Sequence, residues 1–310
     1  MAINRAFVGM SGTMRSLEDL APIGEPYRMG RWHPDVFSRH GYVHEAGATA
    51  KLALLGGREG PTFVILCRAR SGSTLLVRLL EQVADIHCRG EALHFGVLSP
   101  RRHLARLAAL RKAPVHGCKL LSYQLIEVQR IRSIAGFLRG LADDGCRILH
   151  LTRETLPQAL SLSIAQQTNR YVARPGERPA SGVVTLDPAL FVAQARLQLA
   201  LLEVERAALR GIEHMAVSYE QDLMASTRHQ STVDRICRYL GAEPNAVVSK
   251  SSKLLPTRFE EVVANAGEIR SALERAGLAS LFEEAASLAP TPSSDPRTYA
   301  GADPLPMAAE

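Results

Sequence analysis

The sequence predicts an α/β three-layer sandwich with a largely parallel central sheet, and three observations carry that prediction. Short apolar, β-rich runs recur along the chain, as strands covered on both faces require. The stretches between them place apolar residues at helical spacing. Strand and helix signals alternate from residue 62 to residue 240, the order that crossover connections of a parallel sheet produce.

Residues 1–60 have weak periodicity and end in Gly56-Gly57-Arg58-Glu59-Gly60-Pro61, a loop that delivers the chain into the core. They are read as an N-terminal extension. Thr62 to Cys67 is continuous and apolar, the expected first strand. Leu75, Leu76, Leu79, Leu80 and Val83 then repeat as a helix does. Ile86 to Cys88 is the next strand candidate, followed by Val115 to Leu121, Arg147 to Leu151 and Met215 to Ser218. Helices are expected over Gln124 to Leu141, Leu156 to Thr168, Phe191 to Leu209 and Thr232 to Leu240. Ala173 to Asp187, rich in Pro, Gly and Arg, breaks the pattern and reads as a loop over a site. The repeated prolines after Leu288 have the composition of a disordered tail. One domain is expected over 61–285, with the tail over 286–310.

Composition narrows the function. A chain of 310 residues, 46% hydrophobic and 22% charged, can bury a sizeable core, which excludes collagen-like, disordered and coiled-coil classes. The formal charge of +6 suits an anionic partner of some kind. Nucleic acid is not expected, because aromatics are only 5% and the basic residues are mostly scattered arginines. The densest basic patch, Arg101, Arg102, Arg106, Arg111 and Lys112, has the spacing of a solvated helix face. No apolar run reaches the ~18 residues of a membrane span, and the first residues lack a secretory signal pattern, so the expected address is cytoplasmic. Five widely spaced cysteines without a Cys-x-x-Cys pair indicate buried reduced thiols, neither a disulfide framework nor a zinc site.

The chemistry concentrates after the first strand. Arg68-Ala69-Arg70-Ser71-Gly72-Ser73-Thr74 joins strand to helix, where successive N–H groups and the helix N-terminus can wrap an anion. Gly72 permits close approach, Ser73 and Thr74 offer hydroxyls, and Arg70 supplies a guanidinium where an ATPase loop would have its Lys. The alternative is simple capping of the helix by Ser73 or Thr74. The Walker form Gly-x-x-x-x-Gly-Lys-[Ser/Thr] is absent. A kinase or GTPase would also want an Asp at another strand end for Mg²⁺, and the strand from Arg147 instead runs into Arg153. Glu220, after Val217-Ser218-Tyr219, keeps the kinase reading open. Ser161 follows Arg153 by eight residues, about two helical turns, so both can face one pocket.

The loop and the Arg153/Ser161 pair together resemble the sulfotransferases that use 3′-phosphoadenosine-5′-phosphosulfate (PAPS). Gly90-Glu91-Ala92-Leu93-His94-Phe95, Gly117-Cys118-Lys119-Leu120 and Gln158-Ala159-Leu160-Ser161-Leu162 are similar to bacterial carbohydrate sulfotransferases of the trehalose 2-sulfotransferase and nodulation-factor type. Ser218-Tyr219-Glu220 is similar to a segment of the wider family, and the likeness spans residues 62 to 270.

The resemblance implies a P-loop-like fold, PAPS as donor, adenosine 3′,5′-bisphosphate as product, and neither a metal nor a covalent enzyme intermediate. It implies that Arg70, Ser71, Gly72, Ser73 and Thr74 hold the 5′-phosphosulfate end, and that Arg153 and Ser161 hold the 3′-phosphate. Glu91 falls at the family's proposed catalytic carboxylate and is the expected general base. A plain surface charge is the alternative reading of Glu91, and His94 the fallback base. Lys119 would reach the sulfuryl oxygens or the acceptor, or snorkel to water. Lys253 and Arg258 lie where related enzymes close a late loop over the nucleotide. Arg68 is expected to point inward and pair structurally; His87 and His150 are expected to be packing histidines. The partner is a small-molecule or saccharide acceptor, with homo-oligomerisation left open. Two other classes stay in view, a P-loop small-molecule kinase and a catalytically silent nucleotide-binding interaction protein.

Overall fold

In a computed structural model of the 310-residue chain, the described residues are 62–109, 113–168, 183–248 and 259–287, with four positions between 43 and 50. Five strands form one parallel sheet: β1 (Phe63–Cys67), β2 (Ile86–Glu91), β3 (Val115–Leu121), β4 (Arg147–Thr152) and β5 (Met215–Ser218), in the order β2-β3-β1-β4-β5. β1 is central, pairing β3 on one side and β4 on the other. All five of its side chains are buried, which explains a run of apolar residues with no polar alternation. Phe63 lies across Gly117 of β3, where an added Cβ would meet the ring at 2.1 Å, so glycine there lets a large side chain of the central strand pack flat on its neighbour.

Among the residues described from 62 on, the α-helices are α1 (Ser73–Leu80), α2 (Pro100–Ala109), α3 (Ile134–Asp143), α4 (Thr155–Thr168), α5 (Pro188–Ala208), α6 (His229–Leu240), α7 (Ala266–Arg275) and α8 (Ser280–Ser287). Right-handed crossovers fix their faces. The step from β1 to β2 goes one way across the sheet, and those from β2 to β3, β3 to β4 and β4 to β5 go the other. Accordingly α1 packs with β2 and α6, whereas α3 packs with β4 and α5. The chain therefore leaves β1 toward one face and leaves both neighbours of β1 toward the opposite face. That divergence opens a crevice at the carboxyl edge of the sheet, where ligands bind in doubly wound folds.

Two apolar clusters hold the layers together. The larger contains the sheet with α1, α3, α6 and part of α5. The smaller joins Leu156, Leu160 and Ile164 of α4 to Phe191 of α5, Ile269 and Leu273 of α7, and Leu281 of α8.

The expected helix over Gln124 to Leu141 is two elements. A π-helical turn (Gln124–Val128) follows β3, and α3 begins only after Ser133, whose side chain accepts from Gly136 N at 3.0 Å. The end of the expected loop over Ala173 to Asp187 is docked structure. Val184 forms a parallel bridge with Val263, Leu186 is buried, and Asp187 caps α5 by accepting from Ala189 N and Leu190 N. Arg101 and Arg102 lie exposed on α2, as a solvated face requires, with Arg101 paired to Asp144; Arg111 and Lys112 lie outside the described residues. No described helix is long and apolar enough to cross a membrane.

Candidate active site

The crevice is built from three strand ends. Its first wall is the loop after β1, in which two residues take left-handed backbone, Arg70 at φ 64° and Gly72 at φ 90°. Such a conformation is unfavourable for a side chain like that of Arg70 and persists where the surroundings enforce it. Gly72 is the cap position of α1 and Ser73 its first residue, and no side chain caps the helix. Ser73 and Thr74 are therefore not capping residues, and the first N–H groups of α1 open toward the crevice. No acidic residue occupies the first turn, so the helix dipole is left uncompensated there.

Four bonds lock this loop to the second wall, the β4–α4 junction. Arg70 Nε donates to Ser161 Oγ at 3.0 Å, and Arg153 Nη1 donates to the Arg70 carbonyl at 2.9 Å. Arg68 Nη2 donates to the Arg153 carbonyl at 2.7 Å, and Gln158 Nε2 donates to the Ala69 carbonyl at 2.7 Å. Arg153 and Ser161 thus meet around Arg70, as their spacing suggested, although the hydroxyl bonds to Arg70 and not to Arg153. Arg68 points inward, fully buried, donating to the Gln198 carbonyl and lying 3.9 Å from Glu205. Burial pushes the Arg68 and Arg153 guanidiniums below the usual arginine range, opposed by Glu205 beside Arg68 and by Tyr219 and Glu220 beside Arg153.

Tyr219 begins a second π-helical turn (Tyr219–Leu223) directly after β5. Its ring carries the Arg153 guanidinium at 4.3 Å on one part and abuts Gly72 on another, where a Cβ would fall 2.4 Å from the ring. Glu220 accepts from Glu154 N at 3.2 Å and from Ser218 Oγ. Tyr219 joins the site through contacts with Arg153 and Gly72, which are far from it in sequence, so no local signal announces its place there.

The third wall is the end of β2 and β3. Glu91, at a register shift between Arg89 and Glu91, lies beside Lys119. Lys119 Nζ is 3.0 Å from Glu91 Oε1, and Gln124 Nε2 donates to Glu91 Oε2 at 2.7 Å. Glu91 is therefore a carboxylate held at both oxygens. Lys119 is buried within β3 and does not snorkel. Nearby, burial raises the Cys67 thiol at the end of β1 to about 11, opposed by the Lys119 charge and by hydrogen bonding with Ser71 and Ser73. His94 Nδ1 bonds the Glu91 carbonyl at 2.8 Å.

His150 is buried on β4 as expected of a packing histidine, with its Nε2 3.0 Å from Glu205 Oε2, so a carboxylate shared with Arg68 satisfies it there. His87 is half-buried, with its ring edge-on to His116. Lys253 and Arg258 lie outside the described residues.

The residues around the loop fit an anionic nucleotide. Arg153 Nε is buried with no hydrogen-bond partner among the described residues, a cationic donor beside a second guanidinium and an open helix N-terminus. Among the described residues no group of three or more His, Cys, Asp or Glu side chains could hold a metal ion.

No protein-family model and no curated protein matches this chain. Similar solved structures include a sulfotransferase from Alicyclobacillus acidocaldarius, at 16% identity over 70% of this chain and 95% of that chain, with a TM-score of 0.42. Another is mouse sulfotransferase SULT7A1 complexed with PAP, at 14% identity over 66% of this chain and 67% of that chain, with a TM-score of 0.39.

Proposed function

We propose that this protein is a PAPS-dependent sulfotransferase acting on a hydroxyl of a carbohydrate or glycosylated small molecule. The observation that carries the reading is the interlock of Arg70, Arg153 and Ser161 at the crevice, with Arg153 Nε buried and unpaired among the described residues. Two guanidiniums around one loop suit a nucleotide that is anionic at both its 5′ and 3′ ends. PAPS, when bound, supplies the sulfuryl group, with adenosine 3′,5′-bisphosphate as the leaving group.

In this reading Ser71, Gly72, Ser73, Thr74 and Arg70 bind the 5′ end, and Arg70 adds positive charge where negative charge grows as the reaction proceeds. Arg153 and Ser161 recognise the 3′-phosphate and so discriminate against ATP. Glu91 accepts the proton of the acceptor hydroxyl, and Lys119, beside it, serves the sulfuryl oxygens or the acceptor. Lys253 and Arg258 complete the nucleotide site. The reading needs no metal and no covalent enzyme intermediate. The saccharide acceptor rests on the local wording around Glu91, Lys119 and Ser161 and on the low aromatic content, and five free, buried thiols suit a cytoplasmic address.

The test is turnover of labelled PAPS with a panel of saccharides and phenols. Label transferred to a saccharide with release of adenosine 3′,5′-bisphosphate is the expected result. Phosphoryl transfer from ATP would replace the reading with a kinase, and tight nucleotide binding without any turnover would replace it with a silent binding protein.

A further inference from the structure

We infer that Gln124, in the π-helical turn after β3, is a positioning residue that orients the Glu91 carboxylate for proton transfer. The inference rests on the reading of Glu91 as the general base. Glu91 sits at a register shift of the β2–β3 ladder, where regular pairing no longer dictates how a side chain is aimed. Two side chains from β3 and the turn following it take over that task, Lys119 on Oε1 at 3.0 Å and Gln124 on Oε2 at 2.7 Å. With one donor on each oxygen the carboxylate plane is fixed, and the lone pairs left open point in defined directions.

The amide itself can be oriented in only one way. Its nitrogen donates both to Glu91 Oε2 and to Tyr123 Oη at 3.2 Å; turning it over would set the amide oxygen against a carboxylate oxygen. The consequence is that Gln124 Oε1 is buried with no hydrogen-bond partner among the described residues, on a residue with no exposed surface. A buried acceptor without a donor is destabilising, so an apolar residue of similar size would serve stability better at this position. What the glutamine supplies instead is the contact with Glu91, made from a π-helical turn, an element found disproportionately at functional sites.

The test compares Gln124→Leu and Gln124→Met in the wild-type and Glu91→Gln backgrounds, reading kcat at saturating PAPS, the Kd for adenosine 3′,5′-bisphosphate and Tm. In the wild-type background kcat is expected to fall roughly 10- to 100-fold, with Tm unchanged or raised and the nucleotide Kd within about twofold. In the Glu91→Gln background the same substitutions should change turnover by less than about twofold, because the group they position is no longer a base. Equal losses in both backgrounds, or a kcat loss tracked by a fall in Tm for both variants, would show a structural role and overturn the inference while leaving Glu91 as base. A wild-type protein that binds nucleotide but does not turn over PAPS would remove the base, and the positioning role with it.

Discussion

Gly72 and Arg70 show how single residues set the crevice. Gly72 combines φ 90° with a Tyr219 ring where a Cβ would stand, so Gly72→Ala should destabilise the fold by about 1 to 3 kcal/mol and weaken nucleotide binding. A denaturant titration beside a calorimetric one checks both. Glu91→Gln keeps shape but removes basicity, so kcat should fall about 10²- to 10⁴-fold with little change in nucleotide Kd. His94→Ala should leave most turnover intact, since that ring bonds the Glu91 carbonyl and not its carboxylate; wild-type turnover in Glu91→Gln with loss in His94→Ala would move the base to the histidine. Much of this was legible in the sequence, because a strand-to-helix loop with two arginines and a glycine has few physical uses. Arg68 could be expected to turn inward. Tyr219 and Gln124 could not be assigned, since a stacked guanidinium and an amide on a carboxylate depend on which strand ends become neighbours.

At the scale of elements, four of the five expected strands match the structure to within one residue at each end, most plainly β1, which is buried throughout and reads as an unbroken apolar run. The stretch from Gln124 to Leu141 misled: it keeps helical apolar spacing across a break, and the π-helical turn aims Gln124 at Glu91 before Ser133 caps a new helix. Residues 183–187 have no regular structure beyond one isolated bridge, as a loop reading expects, but they are held in place. Their composition is that of a loop, yet Asn265 ties down both the Leu186 N–H and its carbonyl, a tertiary pairing that local sequence does not announce. Asp187 then caps α5 with Pro188 behind it. Asp187→Ala should cost about 0.5 to 2 kcal/mol, read as a lowered Tm without change in the Kd for adenosine 3′,5′-bisphosphate.

Across the whole molecule, sheet order decides where chemistry can happen, since β1 sends its chain to one face while both of its neighbours, β3 and β4, send theirs to the other. The same burial that builds the core suppresses its thiols. All five cysteines are buried and free, with Cys67 raised to about 11 and Cys118 to about 12. A thiol reagent at pH 8 should therefore label none of them in the native state and all five after unfolding. Raised thiol values also set a sign. The unfolded thiols ionise near 9.0 while the folded ones stay protonated, so the folded state binds more protons and stability should fall as pH rises above about 9. The central claim, a crevice that recognises a nucleotide through a separate 3′-phosphate, is tested most directly by calorimetric titration with adenosine 3′,5′-bisphosphate and with ADP, in the wild type and in Arg153→Ala. Wild type is expected to prefer the bisphosphate, and Arg153→Ala to weaken it by about 2 to 4 kcal/mol while barely changing ADP; equal affinity for the two nucleotides, or equal losses for both, would rule out a 3′-phosphate site at Arg153.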